Sequence, residues 1–304
     1  MAERFLVSID LEELQCSPEG GLDLKTISYL DRVYTSVTPE TVDTACRFLQ
    51  QHFNHFTAYL DVTALTDLKD IVLLLDNGAA KAFVEMYQLK AIVEDRLVED
   101  LSRLVVALDH ETCTGDPAIA ALEIKQDIKD IVGNLSVGVY VHDVHDWNLL
   151  DKMHELFGID GYPTRYVSLA YNTLDHYLRA VKYGHIPIVP AKLLTINPEK
   201  YPQLIPAELL ITASIVSDRL DGLYPTVVTD EHGICLGLVY SNKESVTAAL
   251  RTGSGVYWSR HRGLWYKGKE SGDTQELVSI GMDCDADALR FVVRQKGNGE
   301  PYFP

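Results

Sequence analysis

The sequence has 304 residues, of which 46% are hydrophobic, and its formal net charge is -17 at pH 7. A chain of this length and apolar content can bury a large core and suggests about two domains. The sequence pI of about 4.9 argues against duplex nucleic acid or an anionic membrane as a partner, because both are bound mainly through Lys and Arg.

The N-terminus and the cysteines are typical of a cytoplasmic protein. The first 14 residues, MAERFLVSIDLEEL, contain two charges within the first four positions and no uninterrupted apolar core, so neither a secretory signal nor a transit peptide is indicated. The apolar runs are far shorter than the roughly 20 residues of a membrane helix. Five cysteines without CxxC spacing fit free thiols better than a disulfide framework.

Residues 1–205 alternate short apolar runs with helical patterns, which predicts an α/β domain that resembles a partial (βα) barrel. The predicted strands are residues 5–9, 56–60, 71–75, 104–108, 137–141 and 166–170. One helix is predicted after Cys113, with Asp116 as its N-cap. Two more are predicted over residues 147–157 and 174–183, the second ending at Gly184.

Acidic and histidine side chains follow several of these strands. Carboxylates stand where α/β folds place their sites, at Asp61, Asp76, Asp109 and Asp143. Such residues more often cap the next turn or helix, so a structural role is the preferred interpretation. The group His142, Asp143, His145 and Asp146 contains HxxH without a third ligand, and it is interpreted in the same way.

A stretch rich in proline, residues 197–206, predicts the boundary to a second, small α+β domain over residues 206–304. Helices are predicted over residues 207–219 and 243–251. The predicted strands are residues 226–228, 234–240, 256–259, 277–282 and 289–293.

A cationic run lies in this second half. No acidic residue interrupts the segment that contains Arg251, Arg260, Arg262, Lys267 and Lys269, which opposes the charge of the whole chain and indicates an anionic ligand. Arginines can grip phosphate as forked donors, and glycines let backbone N–H groups approach its oxygens. Hydroxyls and glycines in the run are Ser271, Thr274, Gly263, Gly268 and Gly272. Trp258 and Trp265 could stack on a base, but a core role is preferred.

An acidic segment follows the cationic run. In an extended chain Asp283, Asp285 and Asp287 share one face while Cys284 points to the other. Three carboxylates suit a hard ion such as Mg²⁺, whereas a thiolate suits Zn²⁺. Cys284 alone cannot hold zinc, so further ligands would come from elsewhere in the fold or from a second subunit. The alternative is a solvated acidic strand end with a buried free thiol.

Long motifs in this half resemble those of phosphoribosyl-AMP cyclohydrolase, an enzyme of histidine biosynthesis. They are DGLYPTVVTD, LGLVYSNKESV, YWSRHRGLWYKGKESGDTQ and DCDADALRFVVRQKGNG, between Asp221 and Gly299. The N-terminal two-thirds is similar to the start of the fungal trifunctional histidine-pathway protein. The resemblance implies hydrolysis of the purine N1–C6 bond of phosphoribosyl-AMP by a zinc-bound water, and a homodimer with metal ligands donated across the interface.

The resemblance also implies roles for individual residues. The magnesium ligands would be Asp283, Asp285 and Asp287, and Cys284 would be a zinc ligand. Catalytic roles fall on His261 and Lys267. The substrate-binding residues would be Trp258, Ser259, Arg260, Arg262, Lys267, Gly268, Ser271, Gly272 and Thr274.

Two departures from the family pattern give a second hypothesis. The family's WSRSR and KGETSG appear here with His261 and Lys269. After GNG the family continues with a Cys-His pair and a further Cys, where this sequence reads EPYFP. Cys235 stands in an apolar strand and is a poor substitute; His232 and His261 are weak candidates. The alternative is therefore a catalytically impaired nucleotide-binding or assembly module with an incomplete zinc site.

Overall fold

A computed structural model describes residues 4–11, 24–52, 55–108, 136–157, 163–283 and 285–297. Within these ranges no helix combines the length and the apolar character needed to cross a membrane. Two large sheets and one two-stranded sheet form the described part of the chain; one large sheet is closed and the other is curled.

The first sheet is a closed barrel of eight parallel strands in sequence order. Its strands are β1 (Leu6–Ser8), β2 (Arg32–Ser36), β3 (Thr57–Asp61), β4 (Lys81–Val84), β5 (Leu104–Leu108), β6 (Gly138–Val144), β7 (Arg165–Leu169) and β8 (His185–Pro190). The helices between them are α1 (Leu24–Ser28), α2 (Val42–His52), α3 (Leu68–Asp76), α4 (Met86–Glu94), α5 (Trp147–Phe157) and α6 (Leu174–Lys182). The predicted α/β barrel is confirmed, and the barrel is complete rather than partial.

Aromatic side chains fill the barrel interior, so it is a packed core and not a pore. Phe83 lies at the centre, with its ring 5.2 Å from that of Tyr34, 5.2 Å from that of Tyr140 and 5.1 Å from that of Tyr166, all at steep angles. Edge-to-face contacts of this kind add stability beyond the area they bury.

The second sheet has six strands in the order β14-β13-β12-β11-β16-β15. They are β11 (Tyr224–Thr229), β12 (Cys235–Ser241), β13 (Val256–Ser259), β14 (Gly263–Tyr266), β15 (Gln275–Met282) and β16 (Leu289–Gln295). Two short strands, β9 (Leu194–Thr195) and β10 (Ile205–Pro206), and the helix α7 (Ala207–Thr212) precede it, and α8 (Lys243–Thr252) joins β12 to β13. A bridge between Ser254 and Glu276 brings the start of β13 against β15 and curls the sheet.

Two details differ from the sequence predictions, and a third prediction is not tested. Residues 71–75 were expected to form a strand but lie in α3, where the Asp67 side chain accepts a hydrogen bond from Lys69 N at 2.9 Å and caps the helix. The apolar run is one buried helix face, since Ile71, Leu74 and Leu75 point inward. The helix expected over residues 207–219 ends at Thr212. The helix predicted after Cys113 falls outside the described residues.

Candidate metal centre

Three carboxylates converge in the connection between β15 and β16. Asp283, Asp285 and Asp287, here called the aspartate trio, each offer an oxygen, and these oxygens lie within 4.8 Å of one another. The segment is a tight turn rather than an extended strand, because Ala286 has a positive φ of 61°. Asp283 Oδ1 accepts hydrogen bonds from Asp287 N at 3.1 Å and Ala288 N at 3.2 Å. The expected convergence is therefore present, with a turn as its cause.

The pKa values within the trio move in opposite directions. The pKa of Asp287 is raised, first by its hydrogen bond with the Asp283 carboxylate and then by desolvation and the negative charges around it, including that of Asp218. Burial opposes ionisation of Asp283, but backbone N–H donors and its neighbours' side chains outweigh this and lower its pKa. Three carboxylates this close together repel one another in the absence of a cation. A hard divalent ion would offset that repulsion.

The described residues of one chain do not supply a zinc set. Cys284 lies outside them, and the described cysteines, Cys46 and Cys235, are free thiols on α2 and β12. Across the described ranges, the trio alone satisfies the geometry of three metal-ligating side chains. Oxygen ligands of this kind fit Mg²⁺ and do not fit the thiolate and imidazole preference of Zn²⁺.

The two predicted phosphate-binding arginines each stack on an aromatic ring, Arg260 on Tyr240 and Arg262 on Trp265. The guanidinium of Arg260 lies 4.8 Å from the centre of the Tyr240 ring, and that of Arg219 lies 4.7 Å from it. Arg219 also forms two hydrogen bonds with Asp221, at 2.9 Å and 2.8 Å. Arg262 stacks on Trp265, with 5.2 Å between the guanidinium and the ring centre. Sequence reasoning missed Arg219 and Tyr240, because nothing in their spacing shows that they stack.

A hairpin turn carries the remaining residues of this group. Ser259 Oγ accepts hydrogen bonds from His261 N at 3.3 Å and Arg262 N at 3.2 Å, so its side chain holds the turn between β13 and β14. His261 is exposed at the tip. Trp258 is only half-buried on β13, while Trp265 packs against the apolar core as expected.

The predicted residues after β14 form a second loop at the other end of that strand. Lys267 N donates to Gly255 O at 3.0 Å, and Gly272 N donates to Gly268 O at 2.8 Å. Gly268 has a φ of +77°, and an added Cβ would overlap the backbone of Asp273, so this glycine is required by the turn itself. The exposed residues of the loop include Ser271, Gly272 and Thr274.

One chain does not gather the loop after β14 around the aspartate trio. Thr274, at the end of that loop, and Asp283 flank the eight residues of β15, which span about 24 Å. The turn between β13 and β14 is four strand spacings from the trio, about 19 Å measured along the sheet, and the curl shortens the direct distance. The loop after β14 and the proposed cation site are therefore well separated within a single copy.

The acidic residues of the barrel have structural partners. Asp61 accepts hydrogen bonds from the hydroxyls of Thr63 at 2.6 Å and Tyr34 at 2.7 Å. Asp143 pairs with His145 at 3.1 Å without forming a three-ligand group in the described ranges. Asp76 ends a helix rather than a strand, and Asp109 lies outside the described residues.

Comparisons with known proteins agree with the resemblance seen in the motifs. Residues 237–300 match the family model of phosphoribosyl-AMP cyclohydrolase. The chain is 38% identical over 296 residues, 96% of its length, to 32% of a histidine biosynthesis trifunctional protein of Neurospora crassa. It is 45% identical over 80 residues, 26% of its length, to 62% of a phosphoribosyl-AMP cyclohydrolase of Nitrosomonas eutropha. The resemblance is thus confirmed for both halves of the chain.

A further relative matches part of the chain. It is a histidine biosynthesis bifunctional protein of Schizosaccharomyces pombe, 53% identical over 114 residues, which cover 38% of this chain and 27% of that protein. The chain spans about a third of the Neurospora protein's length.

Proposed function

We propose that residues 206–304 form a phosphoribosyl-AMP cyclohydrolase domain, which hydrolyses the purine N1–C6 bond of phosphoribosyl-AMP in histidine biosynthesis. The observation that carries the proposal is the convergence of the aspartate trio inside the segment that matches the family model. The trio provides three carboxylate oxygens for a hard cation, and the cationic loops at the two ends of β14 suit a substrate with phosphate groups.

The reaction follows from the substrate's chemistry. Alkylation at N1 makes C6 electrophilic, so a water oxygen adds to C6, the C6–N1 bond breaks, and N1 receives a proton while the oxygen becomes that of a carboxamide. Asp283, Asp285 and Asp287 would hold Mg²⁺, which would supply positive charge beside the substrate and make a nearby water more acidic. The exposed imidazole of His261 accepts the proton of the attacking water. Arg260 and Arg262 orient the phosphates as forked donors.

Lys267 and its loop complete the substrate contacts. The Lys267 ammonium neutralises phosphate charge, and the backbone N–H of Gly268 faces the substrate oxygens together with the hydroxyls of Ser271 and Thr274. Gly272 lines the same loop, with its own N–H bonded to Gly268 O. Trp258 and Ser259 form the wall and turn that hold the arginines. The described residues of one chain do not form a zinc set.

We further propose that the site is built from two copies, in a homodimer. The eight residues of β15, about 24 Å, separate Thr274 from Asp283 and leave the loop after β14 remote from its own copy's trio. The outer sheet face carries an apolar cross-strand pair, Val227 and Leu238, that is 38% and 69% exposed. Exposed apolar surface of this kind is typical of a protein interface.

The lack of a zinc ligand set among the described residues gives a second candidate function, a nucleotide-binding or assembly module without turnover. Its support is that the thiols of Cys46 and Cys235 lie apart from the trio on separate elements. It predicts that phosphoribosyl-AMP binds and that binding survives Cys284→Ala. In either case residues 1–205 form a separate α/β domain, and the protein works in the cytoplasm.

Ring opening of phosphoribosyl-AMP tests the proposal. The purified chain is assayed with added Mg²⁺ and Zn²⁺, alongside Asp285→Asn, Cys284→Ala and the matched control Asp273→Asn. Asp285 is exposed in the trio, whereas Asp273 lies in the loop before β15. Turnover that Asp285→Asn abolishes and Asp273→Asn retains supports the cyclohydrolase. Equal turnover in both variants contradicts the role of the trio, and binding without turnover favours the second candidate.

A further inference from the structure

The barrel contacts both strands of the β15–β16 hairpin close to the turn that carries the aspartate trio. The turn after α1, residues 29–31, is here called the barrel turn. Ile280 N on β15 donates a hydrogen bond to the carbonyl oxygen of Tyr29 at 2.9 Å. Arg290 on β16 lies close enough to the Asp31 carboxylate for its charge to counter the rise in pKa that burial causes there. Ile280 is three residues before Asp283, and Arg290 is three residues after Asp287.

The barrel turn is itself firmly anchored. Asp31 O accepts from Thr57 N at 2.8 Å, which joins the turn to the start of β3. Tyr29 is buried, and its hydroxyl fills the space beside Gly253, where an added Cβ would overlap it. Gly253 O in turn accepts from Leu277 N on β15 at 2.9 Å. The contact thus runs from the barrel wall through Tyr29 into the strand that ends at the trio.

The position of β15 explains why such a contact matters. β15 is the last strand in the order of the sheet, and its side away from β16 meets the barrel and residues 253–255. An uncovered strand edge leaves its N–H groups unpaired and its geometry weakly defined. At its opposite end, β15 is held by an ion pair of 3.0 Å between Glu276 and Lys25 of α1.

We infer that the barrel turn is a positioning element for the aspartate trio. By fixing the ends of β15 and β16 next to the turn, it sets the spacing of the three carboxylates and therefore the cation affinity of the site. The barrel would then contribute to the cyclohydrolase site by positioning its metal ligands. The inference rests on the proposed cation site. Outer groups that orient metal ligands typically change metal affinity by 10–100-fold when removed.

The test measures Mn²⁺ binding to the full chain by electron paramagnetic resonance, at a temperature where circular dichroism shows every variant folded. Gly253→Ala places a methyl group against the Tyr29 hydroxyl and should weaken Mn²⁺ binding about tenfold. Combining it with Tyr29→Phe removes the overlapping oxygen and should restore the affinity to within about threefold. The single and the double variant carry the same backbone strain at residue 253, whose φ is +61°. Any recovery of Mn²⁺ affinity in the double variant therefore comes from removing the overlap with the Tyr29 hydroxyl.

Asp31→Asn is a second variant that keeps the fold, since Asn tolerates the left-handed backbone at residue 31, where φ is 66°. It should also weaken Mn²⁺ binding, while Asp70→Asn on α3 makes the same change of charge away from the junction and should not. Unchanged affinity in Gly253→Ala and Asp31→Asn would overturn this inference alone. No Mn²⁺ binding by the unmodified chain would overturn the proposed cation site and the inference with it.

Discussion

A site shared between two copies can be tested by mixing two inactive variants. Asp287→Asn removes a carboxylate from the trio, and Lys267→Met removes the ammonium from the loop after β14 while keeping most of the side chain's length. Thr274, at the end of that loop, is separated from Asp283 by the eight residues of β15, about 24 Å. If one copy's loop works with the partner's trio, both defects fall in one site of a mixed dimer and the other site is intact.

The expected recovery can be calculated. Random pairing of equal amounts gives about one half mixed dimers, and each contains one intact site of two, so co-expressed variants should reach about a quarter of the unmodified activity. Ring opening is measured on the mixture and on each variant alone, and native mass spectrometry verifies that mixed dimers formed. Mixed dimers without any recovery of activity would refute the shared site. Recovery in chains kept monomeric by dilution would refute it as well.

Three further predictions concern protonation and packing. The hydrogen bond with Asp283 raises the pKa of Asp287, so Mn²⁺ must compete with a proton for Asp287 once the pH is below that pKa. The Mn²⁺ affinity should then fall by up to about tenfold for each further pH unit. An affinity that stays constant down to about pH 4 contradicts this. Gly268→Ala should lower the free energy of unfolding in urea by about 2–4 kcal/mol, against about 1 kcal/mol for Gly272→Ala, where φ is also positive but nothing lies within 4 Å; equal losses would contradict the packing argument. Burial lowers the pKa of His185 to about 3, so the free energy of unfolding should fall as pH drops below about 6.5, by about 3 kcal/mol at pH 4.5. His185→Leu should flatten this decline of the unfolding free energy with pH.

Local patterns were sufficient to predict the barrel and the trio. The strand at residues 104–108 and the helix Trp147–Phe157 follow from apolar periodicity and caps, and both are confirmed. The trio follows from carboxylates at alternate positions, although the turn at Ala286 brings them together by a different backbone path. The strand predicted over residues 71–75 was wrong because a run of five apolar residues fits both a buried strand and a helix face, and only the cap at Asp67 distinguishes them.

Long-range geometry was not available from the sequence. The curl of the second sheet depends on the bridge from Ser254 to Glu276, and it decides how far the arginine turn lies from the trio. The bond between Tyr29 and Ile280 joins residues 251 positions apart in the chain, as does the ion pair between Lys25 and Glu276. No periodicity or motif records such pairs, because they depend on how two finished sheets pack together.

The most direct measurement of the central claim is the fate of a water oxygen. The chain is incubated with phosphoribosyl-AMP and Mg²⁺ in water enriched in oxygen-18, and the product is examined by mass spectrometry. Hydrolysis at C6 predicts a ring-opened product with a single heavy oxygen, located in the new carboxamide, and no such product from Asp285→Asn. Unchanged substrate from a folded chain that binds both the nucleotide and the cation would contradict the account.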